Sequence, residues 1–312
     1  MQYLGEIISL VVAILWTATA LFANEASRRI GAMSTNLFRM VLSSILLAGL
    51  LWIVIGHPYP AFADGKTWLW MGLSALVGYV FGDFCLFNSY VVIGARFGQL
   101  FMTLAPVFAA FAGWILLGET LSWKSVLAMG VTLSGIALSI LSRSQDGHHL
   151  TLRLPLKGVL LGIGAGMGQG VGLVLSKIGM QHYEAALPAD VPAAFGWAMP
   201  FASTMIRSLT GTVGFFVWMA LMRQLPQLRA AVHDRRGMQF TGLTTLFGPF
   251  IGVSLSLMAV QYARAGIAST LMALTPVLII LPYSMIYKQK ITPKEILGVT
   301  ISMLGVALFF LL

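Results

Sequence analysis

Asp83 stands inside a long apolar segment, with Tyr79 four residues before it, Phe87 four after and Tyr90 seven after. On a helix these four share one face. An acid among aromatic rings is the lining expected of a cavity that accepts an organic molecule. Placing a carboxylate at bilayer depth costs at least about 2.5–3.5 kcal/mol, and that cost asks for a use. Contact with substrate or carriage of a proton is one use. A purely structural lock, in which hydroxyls or an arginine hold the acid to join helices, is the other.

The basic residues have two readings as well. Arg39 and Arg207 stand at matching places about a turn inside their apolar segments. From there an arginine can reach the headgroups, attract a substrate carboxylate or pair with Asp83. Lys177 is open to the same readings. Trp16, Gln169 and Gln261 are further candidates to line a substrate cavity. Pro106 and Pro276 fall in the middle of equivalent segments, where proline removes a hydrogen bond and kinks a helix. A symmetrical pair of kinks beside a central cavity forms natural hinges, with fixed curvature as the alternative.

These residues have to be positioned by membrane helices. Of 312 residues, 58% are hydrophobic and 9% charged, far outside the soluble range. Apolar runs of about 20 residues follow one another, each long enough to cross a hydrocarbon core of roughly 30 Å. Ten spans are expected: 5–24, 34–56, 67–89, 94–117, 122–141, 156–178, 199–222, 239–262, 265–287 and 294–312. The first reads as a retained helix rather than a signal peptide. Residues 179–198 suggest a short interfacial segment, and 223–238 a basic loop anchored at anionic lipid. In the sixth span Gly158, Gly162, Gly166 and Gly170 recur at every fourth position, a spacing that lets backbones approach closely. The formal charge of +9 resides in loops and reports topology and lipid headgroups, not nucleic acid. The single cysteine, Cys85, excludes an intramolecular disulfide.

The chain states one stretch twice. A shift of 170 residues lays 78–141 on 248–311 without a gap. Gly78 meets Gly248, Gly82 meets Gly252, Pro106-Val107 meets Pro276-Val277, and Gly135-x-Ala137-Leu138 meets Gly305-x-Ala307-Leu308. Asp83 meets Val253, so the scaffold does not require a carboxylate in both copies. The fold expected is all-α: ten transmembrane helices as two five-helix repeats, 1–141 and 156–312, joined by a polar linker, 142–155. Because each half has an odd number of spans, the second enters the bilayer from the opposite side. Inverted pairs of this kind usually hold a substrate site at their interface near mid-membrane.

The stretch Gly94-Ala-x5-Phe101-Met-Thr-Leu-Ala-Pro106-Val-Phe-x10-Gly118-Glu119-x-Leu121, followed by Gly130 and Gly135-x-Ala137-Leu138, resembles the EamA domain of the drug/metabolite transporter superfamily. The second copy resembles it too, but has Gln289 where Glu119 sits. The resemblance covers essentially the whole chain as two domains. It implies transport of an amino acid, another small metabolite or a drug, and leaves the cargo open.

An enzyme is not expected. His57, His148, His149, His182 and His233 are scattered through loops, no paired carboxylates occur, and no nucleotide motif is present. Neither a metal nor any other cofactor is expected, and the partners are a small-molecule substrate and membrane lipids. A flippase of lipid-linked cargo is the alternative within transport. The chain is expected in the cytoplasmic membrane as a monomer or weak dimer. Alternate connections hold Arg28, Arg29, Arg96, Arg143, Arg153, Lys157, Arg223, Arg229, Arg235, Arg236, Lys288, Lys290 and Lys294, against Lys66, Lys124, Lys177 and Arg264 on the other side. The positive-inside rule makes the first set cytoplasmic and leaves both termini outside.

Overall fold

The computed structural model describes residues 3–86, 88–89, 92–93, 101–142, 155–188, 193–278, 280, 282, 285 and 293–311. Among these every regular element is helical. The first half contains α1 (Leu4–Ile30), α2 (Ala32–Ile55), α3 (Gly65–Leu86), α4 (Ala105–Leu117) and α5 (Trp123–Ser142). The second contains α6 (Leu156–Ala186), α7 (Ala193–Leu221), the short α8 (Pro226–His233) and α9 (Arg235–Tyr262). It ends with α10 (Ala265–Met272), α11 (Thr275–Leu278) and α12 (Pro293–Leu311). Among the described residues six helices, α1, α2, α3, α6, α7 and α9, are long and apolar enough to cross a membrane. Large apolar side chains point outward, Ile53 85%, Leu221 75% and Trp123 73% exposed, as lipid-facing surface does.

Local chemistry explains the ends. Gly31, at φ 84°, separates α1 from α2 by a single residue. Asp64 caps α3 by accepting from the Thr67 amide at 2.8 Å, and Asp234 caps α9 by accepting from the Gly237 amide at 2.9 Å. These caps are again 170 residues apart. So are two π-helical segments, Leu76–Asp83 within α3 and Leu246–Val253 within α9. A third repeated feature is the two-residue turn, Thr103–Leu104 before α4 and Ala273–Leu274 before α11. Two sequence expectations change here. The basic stretch 223–238 is folded, largely into α8 and the first turn of α9, because Pro226 and Asp234 start helices there. Residues 179–186 and 193–198 extend α6 and α7 instead of forming an interfacial piece.

Contacts between the halves are reciprocal. A Cβ placed on Gly5 would meet Ala263, and one on Gly158 would meet Ile93. One on Gly248 would meet Thr19, and one on Gly78 would meet the Gly172 backbone. Helices α5 and α12 pack on each other through Gly135 against Ser302 and Gly305 against Thr132. Helices α2 and α7 pair through the Ser43–Ser208 hydroxyls, 3.2 Å apart, and through Met40 against Gly211. Helices α3 and α6 also approach closely: a Cβ on Gly168 would stand 2.7 Å from the Gly82 Cα. The glycines of α6 therefore serve close packing on two faces: Gly166 and Gly170 admit the start of α4, while Gly168 and Gly172 admit α3, where a side chain would displace the acid it carries. The largest apolar core lies among α1, α2, α6, α7 and α9, around Leu47, Met199, Ile206 and Leu257.

Candidate functional site

Five of the candidate residues come together in the structure. Asp83 closes the π segment of α3. Its Oδ2 accepts from Arg39 Nη2 of α2 at 2.6 Å, and its Oδ1 accepts from Gln169 Nε2 of α6 at 3.0 Å. The same Gln169 amide nitrogen donates to the Gly78 carbonyl at 3.0 Å. One glutamine thus serves both the acid and a backbone carbonyl of the π segment, where the α-helical hydrogen-bond register is broken. The side chains of Arg39 and Asp83 are 15% and 8% exposed. Arg207, midway along α7, lays its guanidinium over the Tyr79 ring at 4.4 Å from the centroid, a cation–π contact.

Several positions differ from expectation. Arg207 is 4% exposed and far from either end of its helix, so it does not reach the headgroups. The reason is that α7 begins at Ala193, about two turns before the hydropathy rise. Arg39, not Arg207, takes the Asp83 carboxylate. Pro106 and Pro276 occupy the second position of α4 and α11 rather than kinking a continuous helix. Proline is accommodated there because first-turn amides lack an intrahelical acceptor. Phe87 and Tyr90 lie outside the described residues.

The remaining candidates stand elsewhere. Trp16 of α1 lies against Gly252 as Gln169 lies against Gly82, so the two are counterparts in the two halves. Where one position has Asp83 and Gln169, its counterpart has Val253 and Trp16, and Val253 packs into the apolar core. Gln261 lies near the end of α9, its Oε1 buried without a hydrogen-bond partner. Lys177 joins a separate polar cluster. Its Nζ stands 2.6 Å from Glu119 Oε1 and donates to the Ala263 carbonyl at 2.8 Å, while the Ala265 amide donates to Glu119 Oε2 at 2.9 Å.

Sequence reasoning missed the role of Glu119, which it noted only as part of a motif. The signal that could have found it was Gly118. At φ 66° this residue ends α4 in the left-handed conformation, turning Glu119 back so that its amide donates to the Gly113 carbonyl at 3.1 Å. A mostly buried carboxylate at such a turn needs a cation, and Lys177 supplies it. Among the described residues no three His, Cys, Asp or Glu side chains form a group able to hold a metal.

The model of the EamA-like transporter family matches the chain twice, at residues 3–141 and 156–311. The chain belongs to that family. This EamA protein is therefore a multi-pass membrane protein of the drug/metabolite transporter type. A solved crystal structure, described only as a protein, is similar over 100% of this chain and 97% of that one, with TM-score 0.71 and 16% sequence identity. At that identity the likeness shows the fold alone. Comparison with curated proteins finds no match.

Proposed function

We propose that this EamA protein is a secondary transporter that moves a small organic metabolite or drug across the cytoplasmic membrane by alternating access. In this reading it has ten spans arranged as two inverted five-helix halves, 1–141 and 156–312. The observation that carries the reading is the composition of the buried polar group. Arg39, Tyr79 and Asp83 come from the first half and Gln169 and Arg207 from the second. The reciprocal contacts of α1 with α9 and α6 with α3 support a two-fold relation between halves, and a site between inverted halves is the usual place for a transported solute. Pro106 and Pro276, each just after a turn, are proposed as the hinges.

The test is flux into proteoliposomes, screened over amino acids, other organic acids and cationic drugs, with and without a pH gradient. Saturable uptake of at least one solute is expected. A lipid-linked cargo is the second reading, favoured by an open apolar groove of about 520 Å³ lined by Phe81, Cys85, Leu160, Leu161 and Gly164. Scrambling of a fluorescent lipid without uptake of any soluble compound would favour this reading over the first.

The orientation proposed places both termini outside, from the excess of Lys and Arg on the opposite loops. A reporter fused at Leu312 that is active only outside the cytoplasm is the expected result; one active only inside would reverse the assignment.

A further inference from the structure

The polar group between the halves does not balance its own charge. Two guanidiniums, Arg39 and Arg207, face one carboxylate, Asp83, which lies within electrostatic reach of both. Asp83 is committed: its Oδ2 accepts from Arg39 and its Oδ1 from Gln169. Arg207 is 4% exposed and, among the described residues, makes no hydrogen bond or ion pair, only the contact with the Tyr79 ring. Its Nε is buried and unpartnered, and so are Arg39 Nε and the hydroxyl of Tyr79, itself 5% exposed.

A buried cation without a counter-charge is costly, and an unmet buried donor adds to that cost. These atoms share one deficit: each is able to donate, and together they surround a net positive charge. A cationic solute would meet repulsion here, and a neutral one would leave the charge unmet. An oxyanion supplies both the negative charge and several acceptor oxygens. The planar fork of an arginine matches a carboxylate or phosphate in two hydrogen bonds, while Tyr79 holds the guanidinium from its face.

We infer that the group around Arg207 is an oxyanion-binding site and that the transported solute carries a carboxylate or a phosphate. This rests on the transporter reading for the word transported, but the binding itself is tested without flux. The full chain is purified in detergent at fixed chloride and ionic strength, and its thermal midpoint is followed with acetate, succinate, inorganic phosphate, choline or putrescine. A carboxylate or phosphate at saturating concentration is expected to raise the midpoint by about 2–4 °C, through preferential binding to the folded state. The cations are expected to give no shift. Comparing succinate with phosphate decides which oxyanion the site takes.

Arg207→Gln is expected to abolish the shift, and Arg207→Lys, which keeps the charge and loses the fork, to shrink it. Tyr79→Phe, which removes only the hydroxyl, is expected to weaken it. A shift from choline or putrescine with none from the anions overturns the inference. So does an anion shift of full size in Arg207→Gln, or no shift by any anion in the unmodified chain, a result that needs no variant to fold. An anion shift without uptake of any solute leaves the site standing and removes the transporter reading. Uptake of a cation without an anion shift does the reverse.

Discussion

Asp83→Asn is expected to lower the thermal midpoint strongly and to abolish transport. The substitution keeps the shape of the side chain and removes the carboxylate that, among the described residues, pairs with Arg39. Arg39 and Arg207 would then share a buried space with no counter-charge between them. Removing one partner of a buried ion pair costs about 3–5 kcal/mol, because the charge left behind is uncompensated. Against a typical total of about 5–15 kcal/mol, that is a large share of the stability. The single variant alone does not separate a lock from a working acid, since both predict loss.

The double variant Asp83→Asn/Arg39→Gln does separate them. It removes both charges of the pair and leaves amides that can hydrogen-bond across α2 and α3. Much of the lost stability is expected to return, because no unpaired charge remains at this contact. If the carboxylate takes part in the transport cycle, flux per folded molecule stays absent. If Asp83 only locks α2 to α3, flux recovers with the fold. Recovery of flux in the double variant would reduce Asp83 to a structural residue and leave Arg207 with Tyr79 as the centre of the site.

What could be read from the sequence follows from how each signal is encoded. The all-helical apolar character and the duplication were legible because hydropathy and repeated motifs are local, linear properties. The grouping of Tyr79 with Asp83 was legible because a spacing of four sets a helix face. The partners of Asp83 were not, since pairing across α2, α3 and α6 depends on which glycines allow contact. Gly168 against Gly82 places Gln169 beside the acid, and no pattern along the chain marks that residue over Trp16 or Gln261. Helix ends were misread where apolar content and helix limits diverge. The start of α7 at Ala193 buries Arg207 and removes the headgroup reading that the hydropathy boundary had left open for it. The π segments were invisible because they change the hydrogen-bond register without changing the composition.

Lys177→Asn and Glu119→Gln are each expected to destabilise the protein by about 3 kcal/mol or more, since each leaves one charge of a mostly buried pair without its partner. The side chains are 13% and 15% exposed. Their surroundings have a fixed polarity, because the Ala263 carbonyl accepts from the ammonium and the Ala265 amide donates to the carboxylate. The swapped pair, Lys177→Glu/Glu119→Lys, is therefore expected to fail despite opposite charges. It would set a carboxylate against a carbonyl and an ammonium against an N–H group. The neutral pair Lys177→Asn/Glu119→Gln is expected to recover most of the stability. Its composition comes from the chain itself: the correspondence that sets Trp16 against Gln169 sets Asn24 against Lys177, and the shift of 170 sets Gln289 against Glu119. The ionic pair joins the two halves, and the sequence has amides at both counterpart positions. A double-mutant cycle read by thermal unfolding measures the coupling. A swapped variant as stable as the native chain would show that the backbone at Ala263 and Ala265 does not set the polarity of this contact.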